Sequence, residues 1–410
     1  MSKGRIPVTI LSGNLGAGKT TTLNHLLGES SDRDIAVLVN DMGTINVDAE
    51  LIQDGTELTA EDGVAELSNG CICCELQDDL RTEVSRLARD WEFDTLVVES
   101  SGISEPAPVA RLFTTESRAA ARYDVDTTVT LVSARQFRDF FDGDSPVERT
   151  ETEDGETRPL SDLVIEQIEF CDVLVLNKCD LVSEEELDEI EATLRALQPR
   201  AELIRTEHGQ ISPDAVLQRG LFDRDAVSDS AGWKRAMEHA GDHDHSTDHT
   251  DDTSGHNHAH RHPEETYGVS SVACRRRRPF HPERLADFFE SLPDGIIRAK
   301  GTFWLAGQEW VMKYGQAGSS ARVETAGKWI ASLPEIDQKL YRDNRSDLDW
   351  DDEWGDRETK LVFIGTDFDE ETIPSRLDDC LLTDEEMDAE WDEFENPFPQ
   401  SENGLLTFGE

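Results

Sequence analysis

The chain has 410 residues, with 39 Lys+Arg against 88 Asp+Glu for a formal net charge of −49; 37% of residues are hydrophobic and 31% are charged. This is enough chain for two domains with cores of their own, and so large an excess of carboxylates excludes nucleic acid and anionic membranes as partners. The acid is spread along the whole chain and Arg outnumbers Lys, a pattern that reads as adaptation to high intracellular salt rather than as an acidic binding surface.

In chain order, the first half alternates short apolar strands with helices. Strands are expected at 7–11, 35–39, 95–98, 128–132, 173–176 and 203–205, and helices at 18–27, 75–89 and 184–197. The 75–89 helix rests on Leu76, Leu80, Val84 and Leu87, which follow helical spacing closely. Such alternation predicts an α/β domain over 1–222, with a mostly parallel sheet and helices on both faces. Residues 241–265 are His, Asp, Thr and Ser with almost nothing apolar, so 223–266 is expected to be a flexible linker. Periodicity then returns: a strand at 267–274, a helix at 282–292, a strand pair at 295–305 and 309–314 around Gly307, and a strand at 360–364. These predict a smaller α+β domain over 267–382, and 383–410 is expected to be a loosely held acidic tail. The apolar run at 6–11 is too short for a secretory signal, and no run approaches transmembrane length.

The first strand leads into Gly13-Asn14-Leu15-Gly16-Ala17-Gly18-Lys19-Thr20, which fits the phosphate-loop pattern at every defined position. Gly13, Asn14, Gly16, Ala17 and Gly18 would cradle phosphates with their backbone N–H groups, at a helix N-terminus that favours anions. Lys19 would reach the β- and γ-phosphates, and the Thr20 hydroxyl would bind Mg2+; Thr21 follows in the same turn. Asn177-Lys178-Cys179-Asp180 ends another apolar strand. A carboxylate at Asp180 can accept from both N1–H and N2–H2 of guanine, a donor pair that adenine lacks. Asn177 would brace that loop and the Lys178 stem would cover the base, so GTP is the expected nucleotide. Glu99-Ser100-Ser101-Gly102 ends a third strand, where Glu99 can serve Mg2+ or the attacking water and Gly102 can sense the γ-phosphate. Asp41, just past the second strand, could act on the same metal or water. Lys19, Asp41 and Glu99 are the candidate catalytic residues.

Cys71, Cys73 and Cys74 form a Cys-x-Cys-Cys cluster, and the seven cysteines show no disulfide framework. Reduced thiols point to a cytoplasmic protein, and three so close suit Zn2+ or Co2+, with Asp41 or a nearby Glu as a fourth ligand. Redox chemistry is the competing use. In the linker, His243, His245, His256 and His258, with His249, His260 and His262, make a loose site for the same metals. His25, His208, His281, Cys171, Cys274 and Cys380 read as structural, and Arg275 to Arg278 as a solvated or anion-pairing edge.

These motifs in this order, with a His-rich linker and a small C-terminal domain, resemble the CobW family of P-loop GTPases. The resemblance covers nearly all of the chain to about residue 364. It includes Pro279-Phe280-His281-Pro282-Glu283-Arg284-Leu285 and Arg298-Ala299-Lys300-Gly301. It implies a SIMIBI-type GTPase domain, slow GTP hydrolysis modulated by metal, and a metallochaperone or insertase that delivers zinc or cobalt to a client metalloprotein. In it the Cys-x-Cys-Cys thiols would be the internal metal site. The chain departs from the family at Asn40-Asp41-Met42-Gly43-Thr44, where many relatives read Asn-Glu-Phe-Gly-Glu. Two other functions compete: a metal buffer whose linker histidines bind while GTP is structural, and a P-loop kinase or ligase, which the guanine reader disfavours. The choice of metal and the oligomeric state stay open at this level.

Overall fold

The computed structural model describes residues 5–30, 33–40, 64–67, 84, 87–89, 91–114, 121–141, 149–151, 157–223, 269–293, 295–344, 348–366 and 368–408. The chain divides into two compact units, Met1–Ala231 and Gly232–Glu410. No helix among the described residues is long and apolar enough to cross a membrane.

In the first unit, seven strands form one sheet: β1 (Ile6–Gly13), β2 (Ile35–Asn40), β3 (Val64–Leu67), β4 (Thr95–Glu99), β5 (Tyr123–Ser133), β8 (Val173–Asn177) and β9 (Glu202–Arg205). Their order is β3-β2-β4-β1-β5-β8-β9, and every pairing is parallel. Two further strands, β6 (Arg149–Glu151) and β7 (Thr157–Pro159), make a separate antiparallel pair. Successive strand residues point to opposite faces, and here both faces are apolar because both are covered. Val8, Ile10, Leu96 and Val98 pack with Val109, Leu112 and Phe113 of helix Pro106–Thr114. Leu11, Val37, Val97 and Leu131 pack instead with Leu23 and Leu26 of helix α1 (Lys19–Glu29). Of the helix expected at 75–89, Val84 and residues 87–89 are helical, Val84 and Leu87 are buried, and the remainder lies outside the described residues. The helix Glu184–Leu197 begins where the sequence predicts because Ser183 and Glu186 close a capping box. The Glu186 N–H donates to Ser183 Oγ at 3.3 Å, and the Ser183 N–H to the Glu186 carboxylate at 2.7 Å.

The parallel register aligns the carboxyl ends of the strands. Leu11 stands beside Glu99, Gly13 beside Leu131, Ser133 beside Asn177, and Asn40 beside Leu67. The phosphate loop, Glu99 and the Asn-Lys-x-Asp turn therefore leave one edge of one sheet, where open α/β sheets bind ligands.

The second unit is an antiparallel sheet of β10 (Val269–Arg276), β11 (Ile296–Phe303), β12 (Trp310–Ala317), β13 (Ser320–Lys328), β14 (Thr359–Thr366) and β15 (Leu405–Phe408), in the order β10-β14-β11-β12-β13-β15. Leu285, Phe288 and Phe289 of helix Pro282–Glu290, with Ile373 and Leu377 of helix Thr372–Asp378, pack with Phe303, Tyr314 and Phe363. The expected strand pair around Gly307 is present as β11 and β12. The loosely held tail is not. Phe398 is buried, its ring 5.4 Å from Phe303, and β15 pairs with β13, Ala321 beside Phe408. In sequence Phe398 stands alone between Pro397 and Pro399, and nothing local marks it as part of this core. The run Arg275 to Arg278 is an anion-pairing edge: Arg275 pairs with Glu358 and Asp349, Arg276 with Asp378 at 2.5 Å, Arg277 with Asp349 at 2.7 Å and Arg278 with Asp384 at 2.6 Å.

Truncating the tail's anchor tests this packing. Phe398→Ala is expected to destabilise the second unit by roughly 3–5 kcal/mol, read as a lower denaturant midpoint by tryptophan fluorescence. A midpoint unchanged from the parent protein would show that the tail adds nothing to the core.

Candidate functional site

The phosphate loop needs its glycines for two reasons at once. Gly13 and Gly18 have φ of 140° and 106°, where a side chain is strained. A Cβ on Gly13 would lie 2.4 Å from Leu131 O, and one on Gly18 2.3 Å from Asn177 Nδ2. Gly16 and Ala17 complete the turn, with the Ala17 N–H donating to Asn14 O at 3.1 Å. Asn14 is buried, and its Nδ2 has no partner among the described residues. Lys19 is buried with Nζ held over the loop, donating to Gly13 O at 3.0 Å and Asn14 O at 3.4 Å. No side chain caps the N-terminus of α1, and the partial positive charge of a helix N-terminus favours an anion there. Thr21 is exposed on the first turn of this helix.

Thr20 Oγ1 donates to Glu99 Oε1 at 3.1 Å, and Glu99 is 1% exposed. A hydroxyl and a carboxylate brought together beside the loop form a hard-oxygen pair of the kind that suits Mg2+. The chain leaving Glu99 stays close to the loop. The Ser100 N–H donates to Leu11 O at 2.9 Å, and Gly102 lies so near Leu15 that a Cβ would sit 2.7 Å from the Leu15 nitrogen.

Asn177 joins the two ends of the site. Its Nδ2 donates to Ala17 O at 2.8 Å, its Oδ1 accepts the Gly209 N–H at 3.0 Å, and it is 1% exposed. Beyond it, Lys178 takes φ of 61°, and the chain makes a 3-10 turn over Cys179–Leu181 that leaves Asp180 exposed. The other wall is residues 206–210, which the sequence reading missed. The Cys179 N–H donates to Thr206 O at 3.3 Å, and Thr206 Oγ1 to Gln210 O at 2.8 Å. His208, read from sequence as structural, adopts φ of 54° within this turn. The one available signal was a glycine, Gly209, placed shortly after the last strand of the sheet.

Asp41, Cys71, Cys73, Cys74, His243, His245, His256 and His258 lie outside the described residues. Among the described residues no group of three or more His, Cys, Asp or Glu is placed to hold a metal. Cys171, Cys179, Cys274 and Cys380 are free thiols. Burial pushes Cys171 well above the usual thiol range, and Cys274 and Cys380 up to about 11. These three are core residues, and their burial disfavours the thiolate that a metal requires.

Residues 7–205 match the model of the CobW/HypB/UreG nucleotide-binding domain, and 269–381 match that of the cobalamin synthesis protein CobW C-terminal domain. Zinc-regulated GTPase metalloprotein activator 1 of Dictyostelium discoideum is 36% identical over 93% of this chain and 81% of its own length. Zinc chaperone CobW of Sinorhizobium sp is 30% identical over 60% of this chain and 71% of its own. Among solved structures, Zn(II)-bound YjiA GTPase from E. coli aligns with 92% of this chain and 100% of its own at 20% identity, with a TM-score of 0.39. A phosphate loop and an Asn-Lys-x-Asp turn on one sheet edge, both domain models in sequence order, and a relative matched over most of both lengths lead to one conclusion: the chain belongs to the CobW family of P-loop GTPases.

Proposed function

We propose that this GTPase is a cytoplasmic zinc metallochaperone, which binds Zn2+ at Cys71, Cys73 and Cys74 and passes it to a client metalloprotein under control of its nucleotide state. One observation carries this reading. Strands β2 and β3 end at Asn40 and Leu67, on the sheet edge that also carries the phosphate loop and Glu99. Asp41 follows the first of these strands by one position and Cys71 the second by four. The strands that precede Asp41 and the thiol cluster in the chain thus end at the edge that carries the phosphate loop, and this supports a coupling of metal to nucleotide. Relatives named for zinc favour zinc over cobalt as the cargo.

In this reading Lys19 and the N–H groups at the start of α1 bind the β- and γ-phosphates. Thr20 and Glu99 would hold Mg2+, which would supply neutralising charge to the phosphate oxygens. Glu99 or Asp41 orients the attacking water. Asp180 accepts from guanine N1–H and N2–H2, with Asn177 fixing the turn that presents it and the Lys178 stem over the base. The histidines His243, His245, His256 and His258 collect metal loosely and are not the delivering site.

Two experiments test it. Zn2+ and Co2+ are titrated into protein lacking residues 241–262, with and without GTP·Mg2+ at high salt, beside a variant with Cys71, Cys73 and Cys74 all changed to Ser. The expected result is tight thiol-dependent binding that GTP shifts by roughly fivefold or more, with a reciprocal effect of metal on GTP affinity. If all tight binding leaves with the linker, the protein is a histidine buffer; if GTP makes no difference, the switch is absent. For the base, inosine triphosphate lacks the exocyclic amine and is expected to bind roughly tenfold more weakly than GTP, the equivalent of one lost hydrogen bond. Asp180→Ala should erase that difference; its persistence would assign guanine reading to another group.

A further inference from the structure

The loop that follows β4 is held from outside the nucleotide site. Residues 101–104 close a tight turn in which the Ser104 N–H and Oγ–H both donate to Ser101 O, at 3.2 and 2.9 Å. In front of the turn Gly102 lies against Leu15 of the phosphate loop. Behind it, the buried Gln167 donates from Nε2 to Ser104 O at 3.0 Å. Next to it, Arg158 of β7 donates from Nη1 to Glu105 Oε1 at 2.7 Å. The other arm of this guanidinium, Nη2, donates to Glu166 Oε1 at 2.8 Å and lies 3.6 Å from Asp162 Oδ2. A continuous packed path therefore runs from Leu15 through Gly102 and Glu105 to Arg158, and from there to the β6–β7 pair.

Arg158 is one cation among three carboxylates, and the three are not equivalent. Asp162 and Glu166 ride on helix Leu160–Glu169, close to Arg158 in the chain and fixed by that helix. Glu105 sits on the loop and its side chain is the most exposed of the three, at 44% against 23% for Glu166 and 6% for Asp162. Burial, and next repulsion from Glu166, push the Glu105 carboxyl up against the pull of Arg158. The loop partner is thus the one most easily released. When it leaves, Arg158 still faces two carboxylates, so a largely enclosed guanidinium is not orphaned. Arg158 Nε is also buried with no partner among the described residues, so the present arrangement does not saturate the fork. Two electrostatically tolerable arrangements are what a bistable contact requires.

We propose that the Glu105–Arg158 pair is a latch coupling the nucleotide at the phosphate loop to the β6–β7 hairpin, with Arg158 and Gln167 as positioning residues for GTP hydrolysis and the hairpin as the surface that reports nucleotide state. The inference rests on the GTPase assignment and not on the identity of the metal. A γ-phosphate bound beside Leu15 moves Gly102, the turn carries Glu105 with it, and the β6–β7 pair loses or regains its tie to the loop after β4.

Hydrogen exchange on the full chain tests this, comparing the GDP·Mg2+ complex with that of a non-hydrolysable GTP analogue. Exchange in β6 and β7 is expected to differ between the two states by roughly fivefold or more. In Glu105→Ala that difference should collapse while the analogue still binds. Arg158→Ala should lower kcat by roughly 2- to 30-fold with little change in KM, and Arg158→Lys should restore part of the loss. Equal hairpin exchange in both states with the analogue bound would overturn the latch alone, as would a Glu105→Ala protein that keeps the parent difference. A protein that binds no guanine nucleotide would overturn the latch together with the assignment beneath it.

Discussion

The side-chain amide of Asn177 is the contact on which the nucleotide site depends. It is fully enclosed, and each end is satisfied by a backbone group from a different part of the chain, Ala17 O in the phosphate loop and the Gly209 N–H beyond β9. Leaving either group buried and unpaired would cost about 1–3 kcal/mol. The phosphate loop, the Asn-Lys-x-Asp turn and the 206–210 turn are therefore held in one relative position. The glycine at 18 belongs to the same constraint, because Asn177 occupies the space that a Cβ there would need. The phosphate loop and the Asn-Lys-x-Asp turn are thereby built as one rigid object.

Around that object the chemistry is graded by burial. Glu99 and Thr20 meet deep beside the loop, where a carboxylate is strongly felt by a nearby cation. Asp180 stands exposed at the rim, where a base can reach it. Strands β2 and β3 bring their ends to the same edge, so the segments carrying Asp41 and the three thiols start from the nucleotide site.

The acidic composition shapes the whole surface. Basic residues are scarce, and many are committed to neighbouring carboxylates: Arg205 to Glu184, Asp188 and Glu191, Arg219 to Glu202, Arg284 to Glu386, and the whole Arg275 to Arg278 run. Exposed pairs of this kind contribute little stability each. Their effect is to hold the planar guanidinium forks in defined places. Arg158 differs in being largely enclosed and shared among three carboxylates, one of them on the loop after β4.

The sequence by itself determined what is written in short, local patterns. The strand and helix alternation, the phosphate loop, Glu99 at a strand end, Asn177 and Asp180, and the start of the 184–197 helix all follow from residues within a few positions of one another, because backbone conformation and capping act over that range. Tertiary structure alone decided the strand order, the meeting of Asn177 with Gly209, the tie from Glu105 to Arg158, and the docking of Phe398 and β15 into a core built from other strands. Each of these joins residues tens of positions apart, and one partner in each is ordinary in sequence: a glycine after a strand, an arginine in an acidic stretch, a phenylalanine between two prolines. Their roles come from burial and from the requirement that enclosed polar groups find partners, and those conditions exist only once the chain has folded.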